Sequence, residues 1–258
     1  MLTKNEIIKV LKDNGLKSDT NIMIHSSLKS IGEIEGRALG LIDTLKDYFK
    51  NGLIMFPMHT WSFINKDNDT LNLLDENSCV GVLPNIAYRS GFIRSPHPTH
   101  SIIAYGKTAN EYIKNDLNSS TPVNPNGCFG RLHEIDAKVL FIGCNLSKFT
   151  YIHSIEERHN VEDRFTSHIF NFYSKDSVNT YQFKMPKHYS TLNPHISENY
   201  QKLYLPLKEK GILKEFMLGN AKCMLVDTKQ CYQFVNKLLE INNHIFDDSL
   251  EIDKSLYK

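Results

Sequence analysis

Between residues 21 and 57 an apolar run of strand length, an amphipathic segment of helix length and a second apolar run follow one another, and that order limits the folds open to the chain. Asn21-Ile22-Met23-Ile24-His25 and Leu53-Ile54-Met55-Phe56-Pro57 are apolar on both faces of any strand they form. Such strands belong in a sheet covered on both faces by helices, which is the habit of parallel sheets. The segment between them, about Ala38 to Lys50, carries Leu41, Leu45 and Phe49 on one helical face and stops at Gly52. Ahead of it, Thr3-Lys4-Asn5-Glu6 forms a capping box. It opens a helix with Ile7, Ile8 and Leu11 on one face and Gly15 as its stop.

The alternation continues. Ile102 to Tyr105 and Val139 to Gly143 are strand-like, a helix is expected over Thr108 to Leu117, and another near Thr150. After about Phe165 the pattern changes. Ser167 to Tyr173 and Val178 to Met185 alternate as a hairpin across Ser174-Lys175-Asp176-Ser177. A helix from Ser197 to Lys210, kinked at Pro206, then strands between Leu213 and Val226 and a helix from Lys229 to Ile241 complete the pattern. The expected class is α/β, layered α/β/α around a mixed, largely parallel sheet with a β-rich C-terminal portion. Residues 1–242 are expected to form a single domain and 243–258 a polar, frayed tail.

Of the 258 residues 41% are hydrophobic and 23% charged, which suits a sizeable core, and the net charge of +1 argues against nucleic-acid binding. No apolar stretch approaches the roughly 18 residues of a membrane span, and no secretory signal opens the chain, so a cytoplasmic protein without membrane contact is expected. The five cysteines show no CxxC spacing and are expected to be reduced, with Cys144 and Cys223 as small core residues.

Four polar groupings could carry chemistry. Arg94-Ser95-Pro96-His97-Pro98-Thr99-His100-Ser101 is stiffened by two prolines and precedes a strand. It suits anion or substrate binding, and equally a solvated surface loop. In Thr150-Tyr151-Ile152-His153-Ser154-Ile155-Glu156-Glu157, Thr150 could cap a helix on which His153 and Glu156 share one face. A carboxylate so placed can orient an imidazole as general base, although surface His–Glu pairs have the same spacing. His25-Ser26-Ser27-Leu28 ends the first strand, where parallel sheets bind ligands and where small hydroxyls suit phosphate; an ordinary polar turn reads the same way. Pro57-Met58-His59-Thr60-Trp61 puts the one tryptophan at the same sheet edge.

Eleven histidines keep a metal-dependent hydrolase open as the alternative, with His97 and His100, or His153 and His159, as partial ligand sets. HExxH, GxxxxGK[ST], GxGxxG and GxSxG are all absent.

Taken in order, these pieces resemble the aminoglycoside 3-N-acetyltransferase family, the antibiotic acetyltransferases outside the GNAT fold. The residues that carry the resemblance are His25-Ser26-Ser27-Leu28, Phe56 to Trp61, Arg94-Ser95 with His97 to Ser101, Gly127 with Arg131-Leu132, Lys138 to Gly143, Thr150-x-x-His153-x-x-Glu156 and Leu218-Gly219-Asn220-Ala221-Lys222. The resemblance spans roughly residues 1 to 240. It implies an α/β sandwich, acetyl-CoA as cosubstrate, no metal and no covalent acetyl-enzyme. His153 would act as the general base, held by Glu156. His25, Ser26, Ser27, Ser95, His97, Thr99, His100 and Ser101 would hold the CoA, while His59, Trp61 and Thr150 would face an amino-sugar acceptor. Oligomeric state is left open, a homodimer among the options.

Three departures stand out. The segment from Trp61 to Val82 is shorter than the insertion of antibiotic-modifying members, and it holds Asp67, Asp69, Asp75 and Glu76 against Lys66 alone. Gly32 and Gly36 are followed by Arg37 where the family is small, and Cys128-Phe129 replaces a usual Ser-Pro. The chain as a whole shows no large acidic excess to attract a polycationic aminoglycoside. A nucleotide-linked amino sugar is therefore as good a candidate acceptor.

Overall fold

The computed structural model describes residues 1–258. In chain order its helices and strands are α1 (Lys4–Asp13), β1 (Ile22–Ser26), α2 (Leu28–Ile31), α3 (Arg37–Tyr48), β2 (Ile54–Pro57), β3 (Thr70–Asn72), α4 (Val82–Arg89), β4 (Ile93–Arg94), β5 (Ile102–Tyr105), α5 (Ala109–Tyr112), β6 (Lys138–Ile142), α6 (Tyr151–Arg158), β7 (Phe170–Lys175), β8 (Thr180–Met185), α7 (Tyr204–Glu209), β9 (Leu213–Leu218), β10 (Ala221–Asp227) and α8 (Thr228–Ile241). The box at the start of α1 closes in both directions: the Glu6 amide donates to Thr3 Oγ1 at 3.3 Å and the Thr3 amide to Glu6 Oε2 at 2.8 Å.

Seven strands form one sheet in the order β4-β5-β2-β1-β6-β10-β9. The apolar runs of β1, β2 and β6 lie side by side and parallel, Ile22 opposite both Ile54 and Lys138. The pairs toward the edges, β2–β5, β4–β5, β6–β10 and β10–β9, are antiparallel. The sheet is thus mixed, with its parallel pairing confined to the three central strands. Alternate residues of those strands enter different cores. Ile22, Ile24, Ile54 and Phe56 pack with α1, α3 and α4, whereas Met23, Met55, Val139 and Phe141 pack with α6 and α8. Burial on both faces is the reason these strands read as continuous apolar runs.

A second sheet, β3-β7-β8, has its own small core of Ile64, Leu71, Leu73, Phe172, Phe183 and Met185. β7 and β8 are the expected hairpin; β3, parallel to β7, is an addition. Ser174 Oγ donates to the Pro96 carbonyl at 2.5 Å and ties this sheet to the proline-stiffened loop.

Three expectations are corrected. The helix over 108–117 is α5 followed by a 3-10 turn, Ile113–Asn118, which turns the Asp116 carboxylate inward to accept from the Cys128 amide at 2.8 Å. The helix over 197–210 divides into a 3-10 helix, Ile196–Leu203, and α7. The change falls before Tyr204, and Pro206 sits in the first turn of α7, where a missing N–H has no helical partner to lose. The tail is not frayed: Ile245, Phe246, Ile252 and Tyr257 are buried in the larger core, and the chain ends in a 3-10 turn, Lys254–Leu256. No helix is long and apolar enough to cross a membrane.

Candidate active site

Because β1, β2 and β6 are parallel, their carboxyl ends meet at one sheet edge, and the segments that follow them enclose a cleft of about 760 Å³. His25, Ser26 and Ser27 line it from β1, His59 and Trp61 from the β2 side, and Cys144, Ser147, Lys148 and Thr150 from the β6 side. Thr99 and His100 form another wall, and Pro186, Lys187 and His188, which follow β8, close the opposite side. Cys144 is therefore half-buried at the cleft, while Cys223 is a core residue.

His153 reaches the cleft from α6. Six consecutive residues of α6, Tyr151 to Glu156, are buried, so the helix is fixed from several directions. Thr150 does not cap it: its backbone is already helical (φ −49°, ψ −31°) and its side chain makes no capping bond. It faces the cleft instead. Glu156 lies behind His153, 1% exposed, with 3.6 Å between its Oε2 and His153 Nδ1. That is beyond hydrogen-bond distance, so the carboxylate does not hold the ring directly. Tyr200 stands between them. Its hydroxyl lies 2.5 Å from His153 Nδ1 and donates to Glu156 Oε2. The other oxygen, Glu156 Oε1, accepts from Arg164 Nε at 2.8 Å, and Arg164 also bonds Asp247 Oδ1 at 2.7 Å. His188 packs edge-on against the His153 ring, centroids 4.0 Å apart.

Burial disfavours the charged form of four other histidines at the cleft. Burial draws the His25 pKa down to about 3 and holds His59, His100 and His188 well below the usual imidazole range. His25 stacks on Phe141 at 5.1 Å. Two polar atoms at the cleft, Ser26 Oγ and His59 Nε2, are buried without a partner, and such groups are completed by a ligand or water.

Ser95, His97 and Ser101 are not cleft-lining. Ser95 Oγ accepts from the Ile102 amide, His97 Nδ1 accepts from the amides of Thr99 and His100, and Ser101 Oγ donates to the Met58 carbonyl. Their polar atoms are taken up by backbone groups of the loop and of the segments packed against it, with His97 Nε2 3.1 Å from the Thr121 carbonyl, so their contribution is to shape and seat the loop. Arg94 extends that frame, donating to Ser101 Oγ, the Glu76 carbonyl and the Met58 carbonyl at 2.7–3.0 Å. Desolvation pulls its pKa down to about 10, so it is still a cation at neutral pH. Sequence reasoning missed Tyr200, Arg164, His188, Lys148 and Lys187. Tyr200 and Arg164 approach α6 from distant segments with no spacing signal to mark them.

No three His, Cys, Asp or Glu side chains are placed to hold a metal ion, so nothing in the site supports the metal-dependent hydrolase alternative. A layered α/β fold with a cleft at its parallel strand ends has the arrangement in which such sheets bind ligands, and a histidine backed by Tyr200 and Glu156 stands in the cleft wall. Residues 23–240 match the sequence model of the aminoglycoside 3-N-acetyltransferase family, and the chain belongs to that family of N-acetyltransferases. It is 25% identical over 228 residues to aminoglycoside N(3)-acetyltransferase IV of Salmonella sp, covering 88% of this chain and 83% of that one. Among solved structures, the apoenzyme of aminoglycoside acetyltransferase AAC(3)-IVa superposes with a TM-score of 0.76 at 24% identity, over 95% of this chain and 91% of that one. AAC-IIIb in its binary complex with CoASH gives 0.79 at 18% identity, over 93% and 96%.

Proposed function

We propose that the protein transfers the acetyl group of acetyl-CoA to a primary amine of an amino sugar, with His153 as general base supported by Glu156. The observation that carries this is the placement of His153: Nδ1 is engaged behind the cleft wall, and Nε2 has no partner within the protein. An amine attacks a thioester only as the free base, and the new C–N bond forms as the C–S bond breaks. The proton shed by the nitrogen passes to His153 Nε2 and from there to the departing thiolate, leaving an amide and CoASH. Alignment of amine and thioester in the cleft supplies much of the remaining acceleration. In this reading Ser26, Ser27, His25, Thr99 and His100 hold the cosubstrate and His59, Trp61 and Thr150 meet the acceptor; the support for it is that all eight line the one cleft.

The acceptor has two readings. The family's name and that of the Salmonella relative support an aminoglycoside. The charge of the cleft favours a nucleotide-linked amino sugar: Lys148 and Lys187 line it, and no aspartate or glutamate does. A polycation would meet no opposite charge there, whereas a diphosphate would. Thiol release from acetyl-CoA, measured across aminoglycosides and nucleotide-linked amino sugars, tests both. Turnover with a nucleotide-linked sugar alone supports the second reading, turnover with aminoglycosides alone removes it, and no thiol release with any amine removes the proposed function.

A further inference from the structure

We infer that Tyr200 is a positioning residue that sets which nitrogen of His153 carries the proton, by linking Nδ1 to the Glu156 carboxylate; the inference rests on the general-base role proposed for His153. The Tyr200 side chain is fully buried, on the 3-10 helix Ile196–Leu203, with Phe246 against its ring edge at 5.2 Å. Its hydroxyl contacts both His153 Nδ1 and Glu156 Oε2, yet a phenol has one proton to give. Two arrangements satisfy all three groups. In one, Tyr200 donates to Glu156 and accepts from Nδ1–H, which leaves the lone pair of Nε2 free in the cleft. In the other, a protonated Glu156 donates to Tyr200 and Tyr200 donates to Nδ1. The ring proton then sits on Nε2, and His153 has no basic nitrogen to offer.

Arg164 decides between them. Its Nε–H points at Glu156 Oε1, and a guanidinium pairs with a carboxylate rather than a carboxylic acid. Burial and the facing Glu156 also push the Tyr200 pKa well above its ordinary value, so the phenol keeps the proton it donates. The first arrangement follows. When Nε2 takes a proton from the acceptor nitrogen, Nδ1–H stays on the Tyr200 oxygen and the Tyr200 proton stays directed at Glu156. Only His153 changes charge, and it does so against a chain of dipoles already oriented toward it.

The tautomer can be read without cosubstrate or acceptor. ¹⁵N NMR of the histidines of the full chain, with His153 assigned by the signal lost in His153→Gln, should show the Nδ1–H form in the wild type. In Tyr200→Phe that form should give way to Nε2–H or a mixture. Turnover of this variant should fall roughly 10- to 100-fold, the factor a hydrogen bond to a charged group is worth, with the KM for acetyl-CoA unchanged. A wild-type spectrum showing Nε2–H overturns the inference whether or not the variant folds. A folded Tyr200→Phe that keeps both Nδ1–H and wild-type kcat overturns it as well. Because the spectrum needs no turnover, failure to find an acceptor would count against the proposed function and not against the tautomer.

Discussion

Arg164 Nε lies 2.8 Å from Glu156 Oε1, and both side chains are almost completely removed from water, at 2% and 1% exposure. Removing one partner of a buried ion pair leaves the other charged and uncompensated, which costs far more than the pair contributes. Arg164→Met should therefore lower unfolding stability by about 3–5 kcal/mol, a range taken from other buried pairs. Urea denaturation monitored by circular dichroism measures it. A loss below about 1 kcal/mol would mean that water or a neighbour replaces the guanidinium, the ordinary result for an exposed pair.

His153→Ala should reduce kcat by about 10²–10⁴-fold while leaving the affinity for acetyl-CoA nearly intact, the usual worth of a positioned base. The defect should shrink as pH rises, because the acceptor then supplies its own free amine. Glu156→Gln should give a smaller defect in the same direction. pH–rate profiles of the wild type and both variants, with calorimetric titration of acetyl-CoA, provide the measurement. Near-full activity of His153→Ala at pH 7 would move the base elsewhere, and His59 would be the next side chain to replace.

Ser26 Oγ makes no hydrogen bond in the free protein although it is buried at the cleft. Ser26→Ala should thus cost no folding stability, and it should weaken acetyl-CoA binding by roughly 3- to 10-fold, the worth of one neutral hydrogen bond. His100→Ala should likewise act on affinity more than on turnover at saturation, since such contacts serve ground state and transition state alike. An unchanged affinity with a collapsed kcat would place these groups in the chemistry instead.

What could be foreseen divides along physical lines. The cores of β1, β2 and β6, the capping box of α1 and the His153–Glu156 spacing depend on neighbours in sequence, and local pattern carries them. Tyr200 could not be foreseen, because the contact that matters spans 44 residues to Glu156. The tail misled for a related reason: Ile245, Phe246, Ile252 and Tyr257 are scattered among polar residues with no period, and only the packed core shows that they belong together. Ser95, His97 and Ser101 show the limit of composition. Polar residues before a strand can serve a ligand or the backbone around them, and here the loop and its neighbours at Met58 and Thr121 take them.

Glu157 follows Glu156 on α6 but turns away from His153. Its carboxylate accepts from Thr121 Oγ1 at 2.5 Å and from the Val123 amide at 3.0 Å, and so fastens the segment 121–123 to the helix. Burial outweighs those bonds and pushes its pKa up from 4.5 to about 7. The sign of the consequence is set by which state holds the proton. Between pH 4.5 and about 7 the unfolded chain ionises Glu157 while the folded chain keeps it protonated, so stability falls as pH rises through this window and the penalty is complete above it. Glu157→Gln has no such proton to lose. The stability of wild type relative to Glu157→Gln should therefore decline between pH 5 and pH 7.5, by about 2–3 kcal/mol from the size of the shift. Urea unfolding of both proteins at the two pH values measures this difference directly. Equal pH dependence in the two would show that Glu157 is ionised in the folded protein, with the Thr121 and Val123 donors stronger than the burial that opposes them.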